Sequence, residues 1–137
     1  MVRGTSVEVA GSLQSPLMKV SANPRLLLIE RQSLFTPFLV RVFEEAGASV
    51  SLAGHRPAIA RLVRLDPDVV CVELDYLEVA PFVALRKLRD LLPQTRIVAL
   101  TAVSDSLWLA LAHCAGANAV LGPGAQVSDL LEALDRP

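Results

Sequence analysis

Five short apolar runs, Leu26–Ile29, Ser49–Ala53, Val69–Val72, Ile97–Leu100 and Ala119–Leu121, alternate along the chain with segments whose apolar residues recur at helical spacing. Strands that are apolar almost throughout are buried on both faces, and a helix between successive strands is what a parallel sheet requires. Phe35, Phe38, Leu39, Val42 and Ala46 mark one face of a first helix, which Gly47 is suited to cap. Ile59, Leu62 and Val63 mark a second, ending before Asp66-Pro67, and Leu85, Leu88 and Leu92 a third, stopped by Pro93. A fourth is expected from a Ser104 or Asp105 cap to Gly116, and Val127, Leu130, Leu131 and Leu134 mark the fifth. The pattern predicts an α/β chain: a flavodoxin-like doubly wound (βα)5 domain with a five-stranded parallel sheet. Its functional crevice should lie at the carboxyl ends of the strands.

A chain of 137 residues is enough for one domain with a real core. Residues 1–24 mix Gly, Ser, Thr and Pro with short apolar patches and read as an N-terminal tail or arm, with Val7 and Val9 able to pair as an edge strand. The domain proper is expected over 25–135. A net charge of −1 and 20% charged residues make no electrostatic case for nucleic acid or an anionic membrane. No apolar run approaches the roughly 20 residues of a membrane span, and no signal-peptide core is visible. The two cysteines, Cys71 and Cys114, do not form a disulfide framework, so a reducing cytoplasm is the expected compartment. Cys71 reads as an inert core thiol, Cys114 as buried near the end of the fourth helix, and His55 and His113 as surface residues.

The ends of the apolar runs carry the chemistry. LLLIE ends in Glu30, PDVVCVELD runs into Glu73 and Asp75, IVALTA reaches Thr101, and AGANAVLGP closes at Gly122-Pro123. Together these segments resemble a response-regulator receiver domain, the aspartate-phosphorylated module of two-component signalling. The resemblance spans about Arg25 to Leu134. It implies an acidic pair after the first strand and an acceptor aspartate after the third, jointly holding Mg²⁺, with a hydroxyl and a lysine stabilising the phosphoryl group. Carried over, the acidic pair falls on Glu30 and Arg31, the acceptor on Glu73, the hydroxyl on Thr101 and the lysine on Pro123. Only Thr101 matches outright. The proline expected four residues past the acceptor is Leu77, and the aromatic expected before Leu121 is Val120.

Arg31 stands where it would repel a metal ion and could instead pair with Glu30 or Glu73. Two other readings stand beside this one: Glu30, Arg31 and Glu73 as solvated loop charges, or Asp75 as the acceptor, which would need a longer third strand. No Gly-rich phosphate loop follows the first strand, and no metal, cofactor or enzymatic activity is expected. The fourth helix, SLWLALAHCAG, is apolar on nearly every side, so Leu107, Trp108, Leu109 and Leu111 are expected to meet a protein partner or a second copy, unless the arm folds over them. The sequence thus points to a pseudo-receiver working in signal transduction without phosphorylation, as an interaction or dimerisation module. The competing reading is a phospho-accepting receiver using Asp75.

Overall fold

The computed structural model describes residues 23–30, 35–54, 59–76 and 80–135. Residues 1–22 of the arm, with Val7 and Val9, and the positions of Arg31, His55 and Leu77 lie outside the described residues. Strands β1 (Arg25–Ile29), β2 (Ser49–Ala53), β3 (Val69–Glu73), β4 (Arg96–Leu100) and β5 (Ala119–Leu121) form one parallel sheet in the order β2-β1-β3-β4-β5. Helices α1 (Thr36–Glu45), α2 (Ile59–Leu65), α3 (Pro81–Leu91), α4 (Ser106–Ala115) and α5 (Val127–Asp135) connect and cover them. This is the doubly wound topology that the alternating runs predict. No helix among the described residues is long and apolar enough to cross a membrane.

Side chains alternate across each strand, so the continuous apolar runs feed two cores. On one face Leu27, Ile29, Val70, Val72, Ile97 and Ala99 pack with Leu62, Leu85, Leu88 and Ala112 of α2, α3 and α4. On the other, Leu26, Leu28, Val69, Cys71 and Val98 meet Phe43 of α1 and Ala133 of α5. Each fully buried Leu, Ile or Phe contributes about 1.5–3 kcal/mol of apolar transfer, which makes the three central strands the rigid frame of the molecule.

The first helix is rotated from the face its spacing suggests. Phe35 and Phe38 are exposed, while Thr36 and Phe43 are buried and Leu39, Val40 and Val42 pack against the core. Turning this way seats the largest buried side chain in the core and points the Thr36 hydroxyl at the end of β1. Val63 and Val127 are likewise exposed, leaving Leu62 and Ala133 as the buried anchors of their helices. Gly47 (φ 99°) follows α1 with the positive φ expected of a cap.

Arg89 joins the ends of two helices. Its guanidinium donates to the carbonyls of Thr95 (2.8 Å) and Gly116 (3.0 Å), to those of Leu92 and Pro93, and to Asn118 Oδ1 (2.7 Å). The same Asn118 oxygen accepts from the Ile97 amide at 2.7 Å. Partial burial pulls the Arg89 guanidinium below its ordinary pKa. Gly116 has φ 128°, and a Cβ there would lie 2.7 Å from Arg89 Cβ, so the AGAN turn needs glycine on both counts.

Candidate functional site at the carboxyl ends of the strands

Glu30 leaves β1 and turns inward, with its side chain almost wholly buried. The Thr36 hydroxyl, from the first turn of α1, donates to Glu30 Oε1. Its other oxygen, Oε2, is buried without a hydrogen-bond partner among the described residues. Glu73 is the last residue of β3, half-buried and in register with Leu100 of β4. Cys71 lies beneath both acids. Burial pushes its thiol up to about 12, with the Glu73 and Glu30 carboxylates adding to the effect.

After Glu73 the chain enters a single 3-10 turn, Leu74–Tyr76. Leu74 is buried and anchors this turn, which carries Asp75 across to the end of β4. Asp75 Oδ1 accepts from the Thr101 hydroxyl at 2.7 Å, and Oδ2 accepts from the Ala102 amide at 2.6 Å. No longer third strand is needed to bring them together; the tight turn does it. Thr101 Oγ1 also accepts from the Val103 amide and from the Trp108 indole, both at 3.1 Å. With one proton given and two lone pairs filled, that hydroxyl is saturated.

Trp108 is held from both sides. Phe82 of α3 meets its ring edge-on, with centroids 4.8 Å apart and planes at 61°. Asp105 caps α4 by accepting from the Leu107 and Trp108 amides, as expected of the cap position. Of the apolar residues singled out on this helix, Leu107 and Leu111 are exposed, while Trp108 and Leu109 are half-buried. Cys114 is exposed rather than buried, because α4 turns Ala112 and Ala115 to the sheet. His113 is on the surface, as expected, and Pro123 is exposed in the turn after β5.

The structure therefore unites Asp75 with Thr101, and gives Glu30 a partner, Thr36, that sequence reasoning missed. Nothing in the spacing of Thr36 announces the contact. The Trp108 contact had one available signal: an indole N–H brought out of water needs an acceptor.

No protein-family model and no curated protein matches the chain. Solved structures do. A response regulator protein from Burkholderia pseudomallei, seen with a phosphorylated aspartic acid, a calcium ion and citrate, matches with TM-score 0.68 at 26% identity, over 82% of this chain. The chain spans 66% of that protein's length. A chemotaxis protein from Vibrio cholerae matches with TM-score 0.73 at 20% identity, over 84% of this chain and 98% of that one. A LuxR-family two-component response regulator from Aurantimonas gives 0.73 at 22% identity, over 82% and 83% of the two chains. The fold is that of a response-regulator receiver domain.

The Mg²⁺ that the resemblance implies would need several oxygens converging on one point. Among the described residues no three His, Cys, Asp or Glu side chains gather in that way. Glu30 Oε1 is committed to Thr36, and both Asp75 oxygens are committed to Thr101 and Ala102. Glu30 Oε2 and the Glu73 carboxylate do not make up a third ligand group with them, so the described donor set does not fit the ion.

Proposed function

We propose that this chain signals without being phosphorylated, as a pseudo-receiver that serves as a protein-interaction or dimerisation module. The observation that carries this reading is the engagement of Asp75. The Thr101 hydroxyl and the Ala102 amide are donors well placed for an anion at the end of β4, and the protein's own carboxylate already takes both. Glu73, at the last position of β3, supplies a fixed acid in the same crevice.

The surface offered to a partner is α4. Leu107 and Leu111 are exposed on it, with Ala110 and Cys114 beside them at i, i+3, i+4 and i+7 spacing. A contiguous apolar stripe on an otherwise well-packed domain favours association. Whether the partner is a second copy is read by sedimentation: Leu111→Asp should lower the average mass if copies pair through α4.

A second reading has one observation in its favour, because Asp75 is exposed and sits beside the Thr101 hydroxyl. It makes Asp75 a phospho-acceptor. Adding Mg²⁺ and beryllofluoride while following backbone amides 30, 73, 75 and 101 by NMR separates the two. Unmoved resonances are expected; saturable shifts would overturn the pseudo-receiver reading in favour of Asp75 chemistry.

A further inference from the structure

The crevice and the α4 face are joined by a continuous run of hydrogen bonds. The Trp108 indole donates to Thr101 Oγ1, and the Thr101 hydroxyl donates to Asp75 Oδ1. A threonine hydroxyl has one proton, so committing it to the carboxylate fixes where its lone pairs point. Those lone pairs hold the Val103 amide and the indole. Remove the carboxylate, and the hydroxyl is free to turn, so the indole loses an acceptor of fixed direction. Trp108 sits in the first turn of a ten-residue helix whose outward side carries Leu107 and Leu111. Val120, in β5, has no polar group with which to make a similar link.

We infer that Trp108 is a positioning residue through which the Asp75 carboxylate, by way of Thr101, sets the placement of the first turn of α4 and hence of its exposed apolar face. This deepens the proposed function and rests on it only for the role of α4 as an interaction surface. Phe82 supplies the other side of the seat: its edge contact gives the indole a second restraint, so the ring has a defined resting place on α3. Hydrogen bonds linked in series polarise one another, which strengthens the dependence of the last on the first.

The chain has a single tryptophan, so its ¹H–¹⁵N spectrum holds one indole resonance. The hydrogen-bonded route from Asp75 to that ring runs through Thr101. In Asp75→Ala the indole resonance should move, and exchange of the indole proton and the Leu107–Leu111 amides should quicken about tenfold, the loss of roughly one hydrogen bond's free energy. Amides of α2 and α5 should keep their wild-type rates, which separates transmission from general destabilisation. Should Asp75→Ala not fold, Asp75→Asn serves. Its NH2 group stands where one of the two carboxylate oxygens accepts, so it cannot hold Thr101 and Ala102 in the present geometry and should move the indole in the same direction. Trp108→Phe keeps the ring against Phe82 but removes the N–H. On that background Asp75→Ala should no longer change exchange in α4. An unmoved indole in the Asp75 variants, or an undiminished effect of Asp75→Ala beside Trp108→Phe, overturns the inference. Neither result bears on the beryllofluoride titration, so this linkage and the phosphorylation-independent reading stand or fall separately.

Discussion

With its proton given to Asp75 and its lone pairs filled by Val103 and the indole, Thr101 has no valence left for an added ligand. Thr101→Val keeps the shape of the side chain but strips three groups of a partner at once. It should cost about 1–3 kcal/mol in urea unfolding, while Thr101→Ser, which keeps the hydroxyl, should cost much less. Thr36→Val tests the neighbouring pair. The variant would leave the buried Glu30 carboxylate without the hydroxyl that now donates to it, and a loss of about 1–3 kcal/mol is expected by the same measurement. Thr101 was legible in the sequence because LTA follows an apolar strand. Its contact with Asp75 was not, since a strand pattern says where β3 ends but nothing of the 3-10 turn that follows. The expectation of a longer strand came from treating Glu73 to Asp75 as extended, whereas buried Leu74 bends the backbone there.

Among the described helices, α3 and α4 are the most firmly tied pair, through Arg89 at the C-terminus of one and Gly116 at the C-terminus of the other. Arg89→Lys should not be conservative. A single ammonium cannot span carbonyls that the planar guanidinium reaches from several sides, and melting should fall as it does for Arg89→Ala. Gly116→Ala combines a positive φ with a Cβ at 2.7 Å from its neighbour. It should lower stability by about 1–3 kcal/mol, seen as a melting temperature several degrees lower. Helix existence and order were readable from periodicity, but helix rotation was less so. In α1 the apolar positions 35, 38, 39, 42 and 46 compete with 36, 39, 40 and 43, and the choice falls to Phe43 and the Thr36–Glu30 contact, both tertiary facts. The arginine-to-carbonyl links between these two helices, Arg89 to Gly116 O and Arg86 to Cys114 O, left no trace in the hydrophobic pattern because charged residues near a helix end usually face water.

At the scale of the whole molecule, the parallel sheet and its two cores follow almost directly from strands apolar on both faces, which is why the fold could be read without knowing the site. Burial also sets a pH response. The Cys71 thiol is held up to about 12 in the folded state, against an ordinary value near 9 once unfolded. Above that ordinary value the unfolded chain gives up a proton that the folded chain keeps, so the unfolded state binds fewer protons and stability falls as pH rises. The expected slope is about 1.4 kcal/mol per pH unit between the two values. Cys71→Ala should lower stability at neutral pH yet remove this alkaline slope, which denaturation across pH 8 to 11 would reveal. The Arg89–Gly116 contact, finally, orders the routes by which this sequence can change. A Cβ at position 116 would meet first the Cβ of residue 89, which every replacement but glycine keeps, and the positive φ remains whatever stands opposite. A lineage descending from this chain can therefore lose the guanidinium clamp and still need the glycine, which should outlast it.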